Sequence, residues 1–219
     1  MRKVVAGVFL SLDGVMQAPG GPEEDPTHGF KHGGWTFHYW DDVMGKSMEE
    51  AFGTPFDLLL GRKTYEIFAG HWPYLENDPV AEVFNRVTKY VATTSREPLT
   101  WKNSVVLNNP AADVAKLKQQ DGPTLLIQGS SQLVQTLLKN DLIDELRVMT
   151  FPLVLGVGKR FFGEGTIPRA LKLVSSTPST TGVVISTYQR GGDIQTGSFA
   201  IAEPSAAELA RRERMKREG

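Results

Sequence analysis

Two short apolar runs in this chain each stop near a glycine and turn at once into hydroxyl or cationic residues. This arrangement limits the folds open to it more than any other feature. The first is Leu58-Leu59-Leu60-Gly61-Arg62-Lys63-Thr64-Tyr65-Glu66, and the second is Leu125-Leu126-Ile127-Gln128-Gly129-Ser130-Ser131. The order in both is strand, tight turn, helix N-terminus. The first turn of a helix carries unpaired N–H groups and a partial positive charge, so it attracts anions. Two such units in one small chain point to a ligand with more than one phosphate. Neither is a Walker loop, whose Gly-x-x-x-x-Gly-Lys-Ser/Thr spacing is absent.

The rest of the chain extends the same alternation. Lys3–Ser11 reads as a buried first strand, and residues 13–35 as a long loop dense in Gly, Pro and charge. A helix is expected over Asp41–Phe52, capped by Asp41 or Asp42, followed by a strand at 57–60 and a helix at 63–69. Asp78-Pro79 opens a helix over 80–87, and Asn109-Pro110 one that runs to about 119, each with Pro at its favoured first position. Strands are expected at 89–93, 104–107, 124–127 and 145–151, with a helix at 131–139. Leu171–Ser179 and Val183–Arg190 form a hairpin around Thr181-Gly182. The fold class is therefore α/β, with a central, mostly parallel sheet flanked by helices and antiparallel strands at the C-terminal edge. The tail carries the capping box Ser205-Ala206-Ala207-Glu208 and an Arg-rich run, expected as a solvated helix rather than a nucleic-acid surface.

Composition narrows the chemistry. The 219 residues carry a formal charge of −1, so no global field favours nucleic acid or an anionic membrane. No run approaches the roughly 18 apolar residues of a spanning helix. The basic start Met1-Arg2-Lys3 leads into a strand rather than a signal peptide, and a cytoplasmic location is expected. With no cysteine, thiolate catalysis and Cys-ligated zinc are excluded. His28, His32 and His38 cluster in a Gly-rich loop without acidic ligands at tight spacing, so no metal site is expected.

Three loops should open on one edge of the sheet, because each follows a parallel strand. Gly61-Arg62-Lys63-Thr64 reads either as a phosphate grip or as a plain turn with surface cations. Thr93-Thr94-Ser95-Arg96 reads as a second grip or a hydrophilic loop. Gln128-Gly129-Ser130-Ser131 reads as a pyrophosphate site or a structural cap. Their joint placement favours a dinucleotide. The loop aromatics Phe30, Trp35, Phe37, Tyr39 and Trp40 either stack a planar substrate ring, with Trp35 and Trp40 as the candidates, or pack as a lid over the core.

In sequence order, Ser11-Leu12-Asp13-Gly14, Leu60-Gly61-Arg62-Lys63-Thr64-Tyr65-Glu66, Thr94-Ser95-Arg96, Gln128-Gly129-Ser130 and Pro152-Leu153-Val154-Leu155-Gly156-Val157-Gly158-Lys159-Arg160-Phe161-Phe162 resemble the dihydrofolate reductase-like superfamily. The branch resembled is that of stand-alone proteins similar to the C-terminal reductase domain of bacterial riboflavin-biosynthesis deaminase/reductases. The resemblance implies one reductase domain over 1–192, with 193–219 as a partly helical extension. It also implies a three-layer fold, NADPH as cofactor, hydride transfer to a C=N or C=O carbon, and a homodimer. The substrate implied is a phosphoribosylamino-pyrimidine. Carried over by position, Gly61, Arg62, Lys63 and Thr64 face cofactor phosphates. Thr94, Ser95 and Arg96 grip the adenosine 2′-phosphate. Gln128, Gly129, Ser130 and Ser131 hold the pyrophosphate, and the backbone of Ala6 meets the nicotinamide amide. Asp13 and Thr150 are the catalytic candidates. Two alternatives stand beside this: dihydrofolate reduction, which needs an acid on the first helix, for which Asp41, Asp42, Glu49 and Glu50 are candidates; and NADPH binding without turnover, in a sensor or assembly protein.

Overall fold

A computed structural model describes residues 1–200 and 202–218. Ile201 and Gly219, both within the extension expected over 193–219, lie outside the described residues. The strands are β1 (Val4–Ser11), β2 (Phe56–Gly61), β3 (Lys89–Ala92), β4 (Ser104–Leu107), β5 (Thr124–Gln128), β6 (Glu145–Phe151), β7 (Ala170–Pro178) and β8 (Val184–Gly192). The helices are α1 (Asp42–Gly53), α2 (Arg62–Ala69), α3 (Pro79–Arg86), α4 (Pro110–Gln119), α5 (Ser131–Lys139) and α6 (Ala206–Glu218). Local chemistry sets where the helices start. Asp41 accepts a hydrogen bond from the Met44 N–H, Asp78 from those of Val80 and Ala81, and Asn109 from that of Ala112. Each offsets an orphan donor of a first turn.

The strands form one sheet in the order β4-β3-β2-β5-β1-β6-β8-β7. Pairings from β4 through to β6 are parallel, while β8 runs antiparallel to both β6 and β7. Parallel strands covered on both faces read as unbroken apolar runs, and Phe56 to Leu60 of β2 are buried without exception. Helices α4 and α5 pack Val114, Leu133, Val134 and Leu137 against Val4, Ala6, Val8 and Leu10 of β1. On the opposite face, Tyr65 of α2 and Phe84 of α3 pack against Val5, Leu58 and Leu60. There Met44 of α1 packs with Met149 and Phe151. The result is three layers, helix–sheet–helix, the architecture that the strand–helix alternation implies.

Two buried cations belong to this scaffold. Arg2 reaches Asp57 at 2.5 Å and Pro123 O at 2.7 Å, with side-chain exposures of 4% and 12% for the ion pair. Lys89 is fully buried, and its Nζ donates to the carbonyls of Asn85 (3.0 Å) and Val87 (2.9 Å) while sitting 4.4 Å from the Trp101 ring centroid. Burial pushes the Lys89 ammonium down to about 8.

The long stretch after β1 is ordered by its own polar groups. Gln17, though buried, donates to the carbonyls of Asp25 and Thr27 and accepts from the Lys159 N–H, so its amide is satisfied three times. Short 3₁₀ turns occupy Thr27–Gly29 and Phe37–Tyr39, and Val15 bridges to Arg160. At the other end, α6 buries none of its residues. No helix among the described residues is long and apolar enough to cross a membrane.

Candidate active site: a cleft at the C-terminal edge of the sheet

Strands β2 and β5 are neighbours, so the turns after them lie side by side. Ser130, the residue before α5, holds a left-handed backbone at φ 55°. Its Oγ accepts the Gly61 N–H at 2.9 Å and donates to Thr64 Oγ1 at 2.9 Å. The two helix N-termini are thereby joined through one hydroxyl. Gly129 also has positive φ, at 64°, and a Cβ there would come within 3.3 Å of Met16 Cε. A side chain there is strained by the backbone and makes the tip of Met16 give way slightly.

These turns border a cleft of about 2090 Å³, well above the ~300–1,000 Å³ of an ordinary small-molecule pocket. It is wide enough for a dinucleotide and a second ligand together. Gly61, Arg62, Lys63, Thr64, Thr94, Ser95, Gln128, Gly129, Ser130 and Ser131 all line it, so the three loops read from sequence do meet in one place. Arg62 is already engaged, donating to Glu66 Oε1 at 2.6 Å and to Glu97 O at 2.9 Å. Lys63 is exposed. The first-turn N–H groups of α2 and α5 face the cleft edge without helical partners, a donor set suited to anionic oxygens.

Other residues read from sequence sit elsewhere. Ala6 is expected to act through its backbone; its methyl is fully buried on the α4/α5 face of the sheet, and its backbone adjoins Gly7, which lines the cleft. Side chains alternate along a strand, so its neighbours Gly7 and Phe9 take the opposite face, and both line the cleft. Thr150 pairs with Leu10 and shares its side of the sheet with Val148, away from Phe9. Arg96 is exposed next to Ser95 and is not part of the lining. Trp40 lines the cleft and is 48% exposed, whereas Trp35 donates its indole N–H to Gln17 O at 2.8 Å and meets Phe151 edge-on at 5.1 Å. Trp35 is thus a packing residue between loop and core.

Asp13 lies outside the cleft lining and is tied up by its neighbours. Its carboxylate accepts from Ser11 Oγ (2.6 Å) and from the backbone of Leu155 (3.1 Å) and Gly156 (2.9 Å), with Arg160 at 3.4 Å. The Ser11 hydrogen bond and these backbone donors hold its carboxyl down at about 2. At neutral pH it is an ionised pin between the turn after β1 and the loop after β6. Glu24, by contrast, lines the cleft, accepts from the Gly20 N–H at 2.6 Å, and is pushed above the usual carboxyl range by burial.

Sequence reasoning missed Gly7, Val8 and Phe9, because β1 is apolar on both faces and nothing local marks this part of it as cleft floor. It also missed the cleft's far wall, where Met48 and Phe52 of α1, Ile67 and Phe68 of α2, and Trp72 form an apolar bay. The helical spacing of Met44, Met48 and Phe52 was the available signal.

Comparison with known proteins agrees with this fold. The family model described as RibD C-terminal domain matches residues 2–185. The chain is 30% identical over 179 residues to the uncharacterised protein YwjB of Bacillus subtilis (strain 168), covering 78% of this chain and 89% of that protein. It is 26% identical to YyaP of the same organism over 200 residues, covering 87% and 96%. Among solved structures, a putative riboflavin biosynthesis protein from Shewanella sp. PV-4 aligns with TM-score 0.55 at 21% identity, covering 86% of this chain and 98% of that one. The dihydrofolate reductase of Enterococcus faecalis, complexed with NADP(H) and RAB-propyl, aligns with TM-score 0.56 at 19% identity, covering 86% and 96%. A pyrimidine reductase-like protein of Corynebacterium diphtheriae aligns with TM-score 0.57 at 12% identity, covering 88% and 93%. The fold is dihydrofolate reductase-like.

Proposed function

Because this chain belongs to the RibD C-terminal domain family, we propose that it is an NADPH-dependent reductase acting on a C=N or C=O carbon. The observation that carries this reading is the pairing of the α2 and α5 N-termini, joined through Ser130, on one oversized cleft. The first-turn N–H groups, Thr64 and Ser131 hold the cofactor's phosphates, with Lys63 adding charge. Thr94, Ser95 and Arg96 take the adenosine 2′-phosphate. Gly7, bare of a side chain, leaves a flat floor beside Gln128 for the nicotinamide. Bound there, NADPH supplies the hydride. The chain contributes position and a water-poor wall, and its apolar bay holds the acceptor. Asp13 acts as a positioning residue for the loop at 155–160, and solvent supplies the proton.

Dihydrofolate fits this cleft less well. Helix α1 turns Met44, Met48 and Phe52 inward, while Asp42, Glu49 and Glu50 are exposed and Asp41 is occupied as the cap. No acid on α1 faces the bay to pair with a pterin. A cytoplasmic homodimer completes the proposal. The edge strand β7 leaves Leu171, Leu173 and Val174 exposed, a surface that suits pairing with a second copy.

Cofactor titration tests the central claim. NADPH is expected to bind more tightly than NADH, and Arg96→Ala should remove roughly 1.5–3 kcal/mol of that preference, the worth of a charge-assisted hydrogen bond. Equal binding of the two cofactors, unchanged by Arg96→Ala, would remove the 2′-phosphate reading. Oxidation of NADPH by a panel of carbonyl and imine acceptors then separates turnover from binding alone.

A further inference from the structure

The far half of the cleft is built from rings and thioethers. Phe9 and Trp40 meet edge-on at 6.2 Å on one side, with Met48 beside them in the lining. Phe52, Phe68 and Trp72 stand on the other side, gathered around Phe84, with ring centroids 5.4, 5.8 and 4.9 Å from it. None of these side chains ionises.

Of the four Lys and Arg side chains that line the cleft, three are paired with acids. Lys159 pairs with Asp25, Arg160 with Asp13, and Arg62 with Glu66. Lys63 stands at the N-terminus of α2, on the phosphate side. His71, exposed and edge-on to Trp72 at 5.0 Å, lines the cleft beside the bay, as do the carboxyls of Glu24 and Glu66. A phosphate or carboxylate buried in this bay would have no cation to meet, and an unpaired buried charge is strongly disfavoured.

We infer that the bay binds a planar, apolar, uncharged ring compound, and that its lining excludes phosphorylated or carboxylated acceptors. The inference rests on the reductase reading for what the ring does there, an electron-poor C=O or C=N set against the cofactor, but not for the binding itself. It departs from the phosphoribosylamino-pyrimidine implied by resemblance, whose phosphate has no partner here.

The test uses the full chain and its own tryptophans, since Trp40 and Trp72 both line the bay. Quenching is titrated with 2-acetonaphthone, ribose 5-phosphate and dihydrofolate, while NADPH binding is followed separately by the fluorescence of its own ring. The ketone is expected to bind at least about tenfold more tightly than either anionic probe. Met48→Arg should weaken ketone binding about tenfold or more by placing a charge among the rings, and Trp40→Ala, at a half-exposed position that the fold tolerates, should weaken it as well. Melting curves confirm that both variants fold. Tighter binding of ribose 5-phosphate or dihydrofolate, or an unchanged ketone Kd in both variants, would overturn the inference. If the ketone pattern holds but NADPH does not bind, the reductase reading falls and the bay stands. If NADPH binds and the ketone does not, the reverse is true.

Discussion

The hydroxyl oxygen of Ser130 lies 2.9 Å from the backbone nitrogen of Gly61, a residue 69 positions away in sequence. The contact turns two separate strand–turn–helix units into one rigid edge. It also means that the Ser130 hydroxyl is committed to protein groups, leaving backbone N–H groups and neighbouring hydroxyls to meet a ligand.

Ser130→Ala should therefore act on the scaffold first. The Gly61 N–H loses its acceptor in a half-buried setting, which costs roughly 1–3 kcal/mol. Urea denaturation should show that loss directly. NADPH affinity should fall as well, because the two helix N-termini are no longer held in register.

Gly7 is open to a single methyl in backbone and in space, but not to a larger side chain. A Cβ there meets the Gln128 side chain at 3.4 Å and Ile127 O at 3.6 Å, so Gly7→Ala should fit with little change in binding. Gly7→Val carries its extra methyls into the cleft. It should raise the Kd for NADPH by at least about tenfold while shifting stability by no more than about 1 kcal/mol, since valine suits a strand. Fluorescence titration beside a thermal melt separates the two effects.

The contrast between Ala6 and Gly7 shows what could be read from sequence. The caps at Asp41, Asp78 and Asn109, the proline-first helices and the glycine-ended strands are local signals, and the structure follows each of them. The facing of β1 is not local. Val4 to Leu10 are apolar on both sides because the strand is central and covered twice, so nothing in the run distinguishes cleft from core. Asp13 and Trp35 were hidden for a related reason. Their partners are residues 155–156 and 151 in the one case and the other, a pairing that only the assembled sheet creates.

Lys89 gives a pH dependence of known sign. Its pKa is about 8 when folded, against the ordinary lysine value of 10.5. Below pH 8 the lysine is charged in both states, and the cost of burying that charge is borne in full. Between about 8 and 10.5 the unfolded chain binds more protons than the folded one, so stability should rise with pH across that window. Lys89→Met should flatten the rise, read as the difference between wild-type and variant urea midpoints at pH 7.5 and pH 10.

Asp13 predicts the opposite limb. Its carboxyl is lowered from 3.8 to about 2 by Ser11 and by the backbone of Leu155 and Gly156. The stabilisation is complete above pH 3.8 and is lost as pH falls through 2. Asp13→Asn should be less stable than wild type at pH 7, with the gap closing near pH 2 in acid unfolding curves. In the pH profile of kcat, no ionisation between pH 4 and pH 7 should disappear in this variant.

Strand β1 lies at the centre of the sheet, yet its partners β5 and β6 begin at Thr124 and Glu145. β1 has nothing to lie against until the chain has been made as far as β5. Closing so long a loop delays productive pairing. The edge β4-β3-β2, whose members are close in sequence, is free to form early, while β1 waits as an exposed apolar segment. A nascent chain that ends before Thr124 therefore has the α2 N-terminus but no partner for β1, whose apolar run stays exposed until β5 is made.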